Sequence, residues 1–269
     1  RGYKSDGFYT VDDFNYVNGV YTLKEGVPDI QSNVFTNYPK PAEIQVPAGQ
    51  SAFPGALKIK DTHKDGIINE EDVVELGNVM AHHTGGFGFS GNYKNFDFSA
   101  NFTYQIGGKV YNASAMCEYT GGKEPGIGKN KRDFIRDCFQ LYDVRNGELV
   151  VVTDPTELAA LNRNATRPVP YYEANTVLSD FIEDASFLRL SNLTIGYSFP
   201  KTLLKKAYIQ SARVYVTGGN LFCITGYSGL DPEVSTNGAA GNSGYPTPGL
   251  DYGSYPRSRT FTVGLNLTF

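Results

Sequence analysis

Residues 259–269, RTFTVGLNLTF, alternate without a break: Phe261, Val263, Leu265, Leu267 and Phe269 fall on one side of an extended chain, and Thr260, Thr262, Gly264, Asn266 and Thr268 on the other. Period-two alternation predicts a β-strand. One greasy face and one small polar face over roughly 9–11 residues also meet the requirement for a strand that crosses a bilayer. Taken alone, the strand fits a β-sandwich as well, with its apolar face on a protein core. The same alternation predicts a hairpin. Phe87, Phe89, Gly91 and Tyr93 share a face, Lys94-Asn95 makes a tight turn, and Phe96, Phe98, Ala100, Phe102, Tyr104 and Ile106 then alternate with Asp97, Ser99, Asn101, Thr103 and Gln105. Further strands are predicted over 187–199, stopped by Pro200, and over about 210–221, where Val214 and Val216 oppose Arg213, Tyr215 and Thr217. Residues 1–10, with Tyr3, Phe8 and Tyr9, give a sixth candidate of less regular pattern. Helical periodicity is confined to short pieces such as Pro155 to Leu161 and Lys129 to Cys138.

The connections between these strands sort by length. Counting back from Phe269 they run long (226–258), short (200–209), very long (107–186), very short (94–95) and long again (12–85). Antiparallel strands so joined carry all long connections at one end and all short turns at the other, as outer-membrane barrels do and sandwiches usually do not. The polar face points the same way, since Asp97, Asn101, Gln105, Asn192 and Asn266 suit a wet lumen better than a dry inter-sheet core. The expected fold is therefore all-β, a segment of a transmembrane antiparallel barrel. Six strands are too few to close a barrel with a usable lumen, so more strands are expected to precede Arg1.

Composition trims the alternatives. Nineteen Tyr, 17 Phe and 30 Gly, against two Met and no Trp, favour strands and turns. A net charge of −4 without a basic cluster argues against nucleic acid as a partner. No apolar run reaches about 18 residues, so no transmembrane helix is predicted, and a mean hydropathy of −0.33 does not bear on a barrel of alternating strands. The chain starts at Arg1 without an initiator Met or signal peptide, which points to a mature fragment or a piece of something longer.

Six blocks carry a specific resemblance: GYKSDGFYTVDDF (2–14), LKIKDTHKDGIINEEDVVELGN (57–78), YKNFDFSANFTYQIGGKVYN (93–112), DFIEDASFLRLSNLTIGYSFP (180–200), RVYVTGGNLFCITGYSGLDPEV (213–234) and YPRSRTFTVGLNLTF (255–269). In order and spacing they resemble the C-terminal part of SusC/RagA-like TonB-dependent outer-membrane transporters of the Bacteroidetes. GLDPEV followed by a final YPRSRTF strand is the most specific element. The resemblance implies a barrel of about 22 strands that holds an N-terminal plug, is covered by a SusD-like surface lipoprotein and is energised by TonB. It further implies that residues 1–269 are the C-terminal portion of that barrel, and that the plug, the TonB-contacting region and the earlier strands lie outside this sequence. The expected activity is active import of an oligosaccharide or oligopeptide across the outer membrane, without catalysis and in contact with membrane lipid.

One constellation has the spacing of a metal site. In DTHKDGIINEED, Asp61, His63, Asp65, Asn69 and Asp72 occupy positions one, three, five, nine and twelve of a calcium loop, with Gly66 at the sharp turn and the Ile67 carbonyl at seven. His63 is a poor ligand for a hard cation, and Asp72 stands where a bidentate Glu is usual. A turn stabilised by side-chain to backbone bonds fits the same residues, so calcium and turn both stay open. Adjacent His82 and His83 do not converge on one zinc ion from a regular element. Cys117 and Cys138 fall in one long connection and could pair on an oxidising surface, leaving Cys223 over. Asn237 to Gly244 read as a flexible glycine-rich loop. Tyr119, Tyr171, Tyr172, Tyr227, Tyr245 and Tyr252 lie in long connections, where tyrosines either meet a ring-bearing solute, form an interfacial girdle or pack the loops. No catalytic arrangement stands out. Two other classes fit less of the pattern: a secreted carbohydrate-binding or adhesive β-sandwich, and a glycan-degrading enzyme on an all-β scaffold. Neither explains an apolar face that ends on the final Phe.

Overall fold

A computed structural model describes residues 1–31, 34, 40–120, 136–170, 176–205, 208–234 and 248–269, the side chains of 117–120 excepted. The described residues form two compact units, Arg1–Gly77 with Ala113–Ile182, and Asn78–Asn112 with Glu183–Phe269.

The second unit is built on a five-stranded sheet whose strands are β1 (His83–Tyr93), β2 (Phe96–Ile106), β3 (Phe187–Ser198), β4 (Ser211–Thr225) and β5 (Thr260–Thr268). Each pairs antiparallel with the next in the chain, so the sheet is a meander with β1 and β5 at its open edges. Registers align like with like. Gly91, Phe98, Ile195, Val216 and Val263 stand in one row across the sheet, and Asp97, Gly196 and Tyr215 fall in the neighbouring row with Gly264. Alternation thus gives one apolar and one polar face, the outcome of a side-chain period of two.

The apolar face is uncovered. Phe89, Phe98, Ile195, Val216, Phe261, Val263, Leu265 and Phe269 are all exposed, Phe261 and Val263 to 73%. Of the other positions that the alternation turns outward, Ile106 is exposed, while Phe102, Leu193 and Val214 are half-buried among their neighbours. Phe102 stacks on Phe87 at 5.1 Å between ring centroids, one such shielding contact. An apolar sheet face left open over five strands is the pattern of a barrel wall, where lipid replaces the core. Among the described residues no helix is long and apolar enough to cross a membrane, which says nothing of crossing by strands.

Glycines on the polar face make room for larger neighbours. A Cβ on Gly264 would stand 2.1 Å from the Tyr215 ring, and one on Gly196 would stand 2.5 Å from both Asp97 Oδ1 and Arg213 Nη2. Small residues here are a packing requirement, not a sign of mobility. Short turns join β1 to β2 and β3 to β4 at one end of the sheet. The long connections, 107–186 and 226–259, start and finish at the other end.

The first unit has a globular core of its own, with Tyr9, Tyr21, Ile44, Phe53, Leu57, Ile59 and Leu158 fully buried. Its strands are short. Ser5–Phe8 pairs with Leu57–Ile59, so the sixth strand expected in residues 1–10 exists but belongs here and not to the five-stranded sheet. Asn18-Gly19 and Asn146-Gly147 both adopt positive φ and close two-residue hairpins, the backbone that Asn-Gly pairs favour. The Pro155–Leu161 helix forms as its periodicity predicts; Asp154 caps it by accepting from the Thr156 and Glu157 amides, and Pro155 takes the first turn, where no donor is needed. Most of the Lys129 to Cys138 segment, and Asn237 to Gly244, lie outside the described residues.

Candidate functional site: the polar face and its charged loop anchor

On the polar face Arg213 reaches across β3 to Asp97, with Nε to Oδ1 at 2.9 Å and Nη2 to Oδ2 at 2.5 Å. The guanidinium also lies 4.8 Å over the Tyr215 ring. Gly196, the residue between them, has no side chain to obstruct this two-pronged pair. Hydroxyls extend the polar lining, with Thr194 and Thr217 at 2.9 Å and Thr103 and Ser191 at 2.8 Å. Such a face wets readily and would line an aqueous passage.

A second charged group sits toward the long-connection end. Arg189 on β3 is 4% exposed, and its Nη2 donates to Asp231 Oδ1 at 2.7 Å. Its Nε lies 3.1 Å from Glu233 Oε2, a charge contact without the alignment of a hydrogen bond. Glu233 Oε1 meets Arg257 at 3.2 Å. Asp231 and Glu233 come from the GLDPEV block and Arg257 from YPRSRTF, so those two blocks meet through Glu233, which also faces the buried Arg189. Sequence reasoning gave these four residues no role. The signal was a cation at 189 in a strand otherwise uncharged from Phe187 to Ser198.

Beside this group, Tyr227 is buried and donates to Asp251 Oδ2 at 2.6 Å. Burial, then the adjacent carboxylate, push its phenol well above the ordinary value. Tyr227 is thus a loop-packing residue, whereas Tyr252 is 54% exposed. Tyr171, Tyr172, Tyr245 and the side chain of Tyr119 lie outside the described residues. So does the Cys117 side chain, and with it the pairing expected with Cys138, which is buried. Cys223 is half-buried, and His82 and His83 are exposed where β1 begins.

In the first unit the acidic loop is a tight, amide-filled turn. Asp61 accepts from the Lys64 amide and from that of Gly66, the latter at 2.9 Å, and Asp65 accepts from Ile67 at 2.9 Å. Asn69 accepts from Glu71 at 2.6 Å, and Asp72, fully buried, accepts from the amides of Thr62, His63 and Asn69 at 2.7, 3.0 and 3.0 Å. The potential ligand atoms that come together are those of His63, Asp65 and Glu71, all exposed and within 4.8 Å of one another. Ile67 is 45% exposed.

Known proteins share both sequence and fold with this chain. The "TonB-dependent receptor P3" of Formosa agariphila is 32% identical over 216 residues, covering 80% of this chain and 19% of that protein. The "TonB-dependent receptor SusC" of Bacteroides thetaiotaomicron is 43% identical over 90 residues, 33% of this chain and 8% of that one. The structure of the RagAB peptide transporter aligns with a TM-score of 0.52 at 25% identity, over 72% of this chain and 18% of that one. The chain is a segment of a SusC/RagA-like TonB-dependent receptor. The structure of the RagAB peptide importer in its "open-open" state aligns over all of this chain and 22% of that one, with a TM-score of 0.55 at 20% identity, and so supports the receptor-type barrel fold. No family model matches the chain. The segment spans about a fifth of the length of the curated receptors it matches, and the SusC/RagA-like resemblance read from its six blocks is borne out.

Proposed function

We propose that this segment forms part of the wall and loops of a TonB-dependent importer in the outer membrane, one that moves an oligosaccharide or an oligopeptide inward under a SusD-like surface lipoprotein. The observation that carries the proposal is the two-faced sheet, whose apolar side is open over five strands while its other side is lined by Asp97, Asn101, Thr194, Arg213 and Asn266. Identity to SusC and the likeness to RagAB support a nutrient importer, and the relatives found are receptors and transporters, not enzymes. A secreted sandwich would need a second sheet on the apolar face, and among the described residues none covers it.

Energy from TonB makes transport directional without covalent chemistry. The whole receptor should therefore restore uptake, in a strain lacking its gene, of either maltooligosaccharides or tryptic peptides. Deletion of TonB should abolish that uptake. Uptake of either solute that persists without TonB would contradict the proposal.

A further inference from the structure

Among the described residues, one group of three metal-ligating side chains converges. His63, Asp65 and Glu71 each bring a donor atom within 4.8 Å of the other two, and all three are exposed. His63 Nε2 lies 3.6 Å from Glu71 Oε2. A tetrahedral zinc ion, with ligands at about 2.0–2.2 Å, sets its donors about 3.3 Å apart, so this pair has only a few tenths of an ångström to close. An ion pair between side chains 56% and 63% exposed holds little by itself, and it gives Asp65 no reason to join.

The backbone fixes where the three side chains start. The His63 amide donates to Asp72, and the Glu71 amide to Asn69, the residue that opens the turn Glu70–Asp72. Lys64, at a φ of 63°, reverses the chain between His63 and Asp65. Asp65 gives Oδ1 to the Ile67 amide, and a carboxylate has a second oxygen. From Lys60 to Asp72 five carboxylates stand against two lysines, a balance that attracts a divalent cation. Imidazole decides which kind. Calcium and magnesium keep to oxygen, whereas one nitrogen and two carboxylates suit zinc, nickel or copper.

We propose that His63, Asp65 and Glu71 bind a divalent transition metal of the zinc class at the exposed rim of this loop, with water completing the coordination. The set differs from the calcium set in using His63 and Glu71 and in sparing Asp61, Asn69 and Asp72, whose side-chain oxygens stay on backbone amides. The bound ion staples His63 and Asp65 to the Glu70–Asp72 turn and so stabilises the first unit by mass action.

Equilibrium dialysis of the whole receptor in detergent against zinc chloride at pH 7 tests the proposal. Wild type should bind one equivalent that His63→Ala lacks. Glu71→Gln should weaken that equivalent by about tenfold or more, since even outer partners of a metal ligand are worth that much. Asp61→Asn, which keeps an oxygen for the Lys64 and Gly66 amides, should bind zinc as wild type does. Equal zinc binding by wild type and His63→Ala would overturn the proposal. So would a loss in Asp61→Asn as large as that in His63→Ala, because the ion would then sit in the calcium set. Should His63→Ala fail to fold, Glu71→Gln decides: weakened binding supports the site, and wild-type binding refutes it. None of these measurements involves uptake, so the transport reading can fail while the metal site stands.

Discussion

Arginines at Val263 and Val216 together should deplete the folded receptor in the outer membrane. Val263 stands in the row formed by Phe98, Ile195 and Val216 and is 73% exposed on the apolar face. An arginine facing lipid near the bilayer midplane costs about 2–4 kcal/mol. A second arginine at Val216, its direct partner on β4, places like charges side by side and roughly doubles the loss. Against a typical net stability of about 5–15 kcal/mol, the double variant should leave little folded receptor. Arginine at Thr262, on the polar face of the same strand and opposite the uncharged Thr217, should be tolerated because that side is wet. Heat-modifiable migration and yield in outer-membrane fractions read the outcome. Wild-type yield of Val216→Arg/Val263→Arg would mean that this face does not meet lipid.

Asp72→Ala should cost the first unit about 3 kcal/mol or more, through a different mechanism. The substitution leaves the amides of Thr62, His63 and Asn69 without their acceptor in a site with no exposure. Burial by itself would raise the Asp72 carboxyl, but those three amides and the Thr62 hydroxyl outweigh it and hold the group below the usual carboxylate value. A carboxyl depressed in the folded state stabilises above its unfolded value and ceases to do so as pH falls through its folded one. The receptor should therefore lose this contribution below about pH 4, and Asp72→Asn should flatten that part of the acid profile. Thermal melts from pH 7 to 3 make the comparison.

Calcium at this loop is our proposal, with Asp61, Asp65, the Ile67 carbonyl, Asn69 and Asp72 as ligands. The ion would share carboxylate oxygens that now accept backbone amides. In the same melts it should raise the transition, and chelator should lower it, in wild type but not in Asp61→Asn. Identical melts with calcium and with chelator would leave the turn alone.

The five strands of the sheet were legible because a bilayer and a lumen impose strict alternation on both faces. Where alternation fails, the reading fails with it. The predicted 210–221 strand in fact continues to Thr225, because the register slips between Gly219 and Phe222, where Asn220 takes positive φ, and the inward and outward positions shift. Residues 1–10 were misplaced in the large sheet since Tyr3 and Tyr9 are buried in a globular core that no local pattern announces. That core joins Arg1–Gly77 to Ala113–Ile182, two stretches that sequence spacing treats as loops. The Arg189 group was hidden for a related reason. Arg189 and Arg257 are far in the chain from Asp231 and Glu233, and only the fold brings them together.

The most direct test of the barrel assignment is the accessibility of β5 in the membrane. Spin labels placed one at a time from Thr260 to Thr268 of the whole receptor, leaving out Gly264 because a side chain there would strike Tyr215, and reconstituted in lipid, report collisions with oxygen, which enriches in hydrocarbon, and with a water-soluble nickel chelate. Labels at Phe261, Val263, Leu265 and Leu267 should meet oxygen, those at Thr260, Thr262, Asn266 and Thr268 should not, and the two sets should alternate with period two. Uniform accessibility along the strand, or shielding of the odd-numbered set from lipid, would contradict the account.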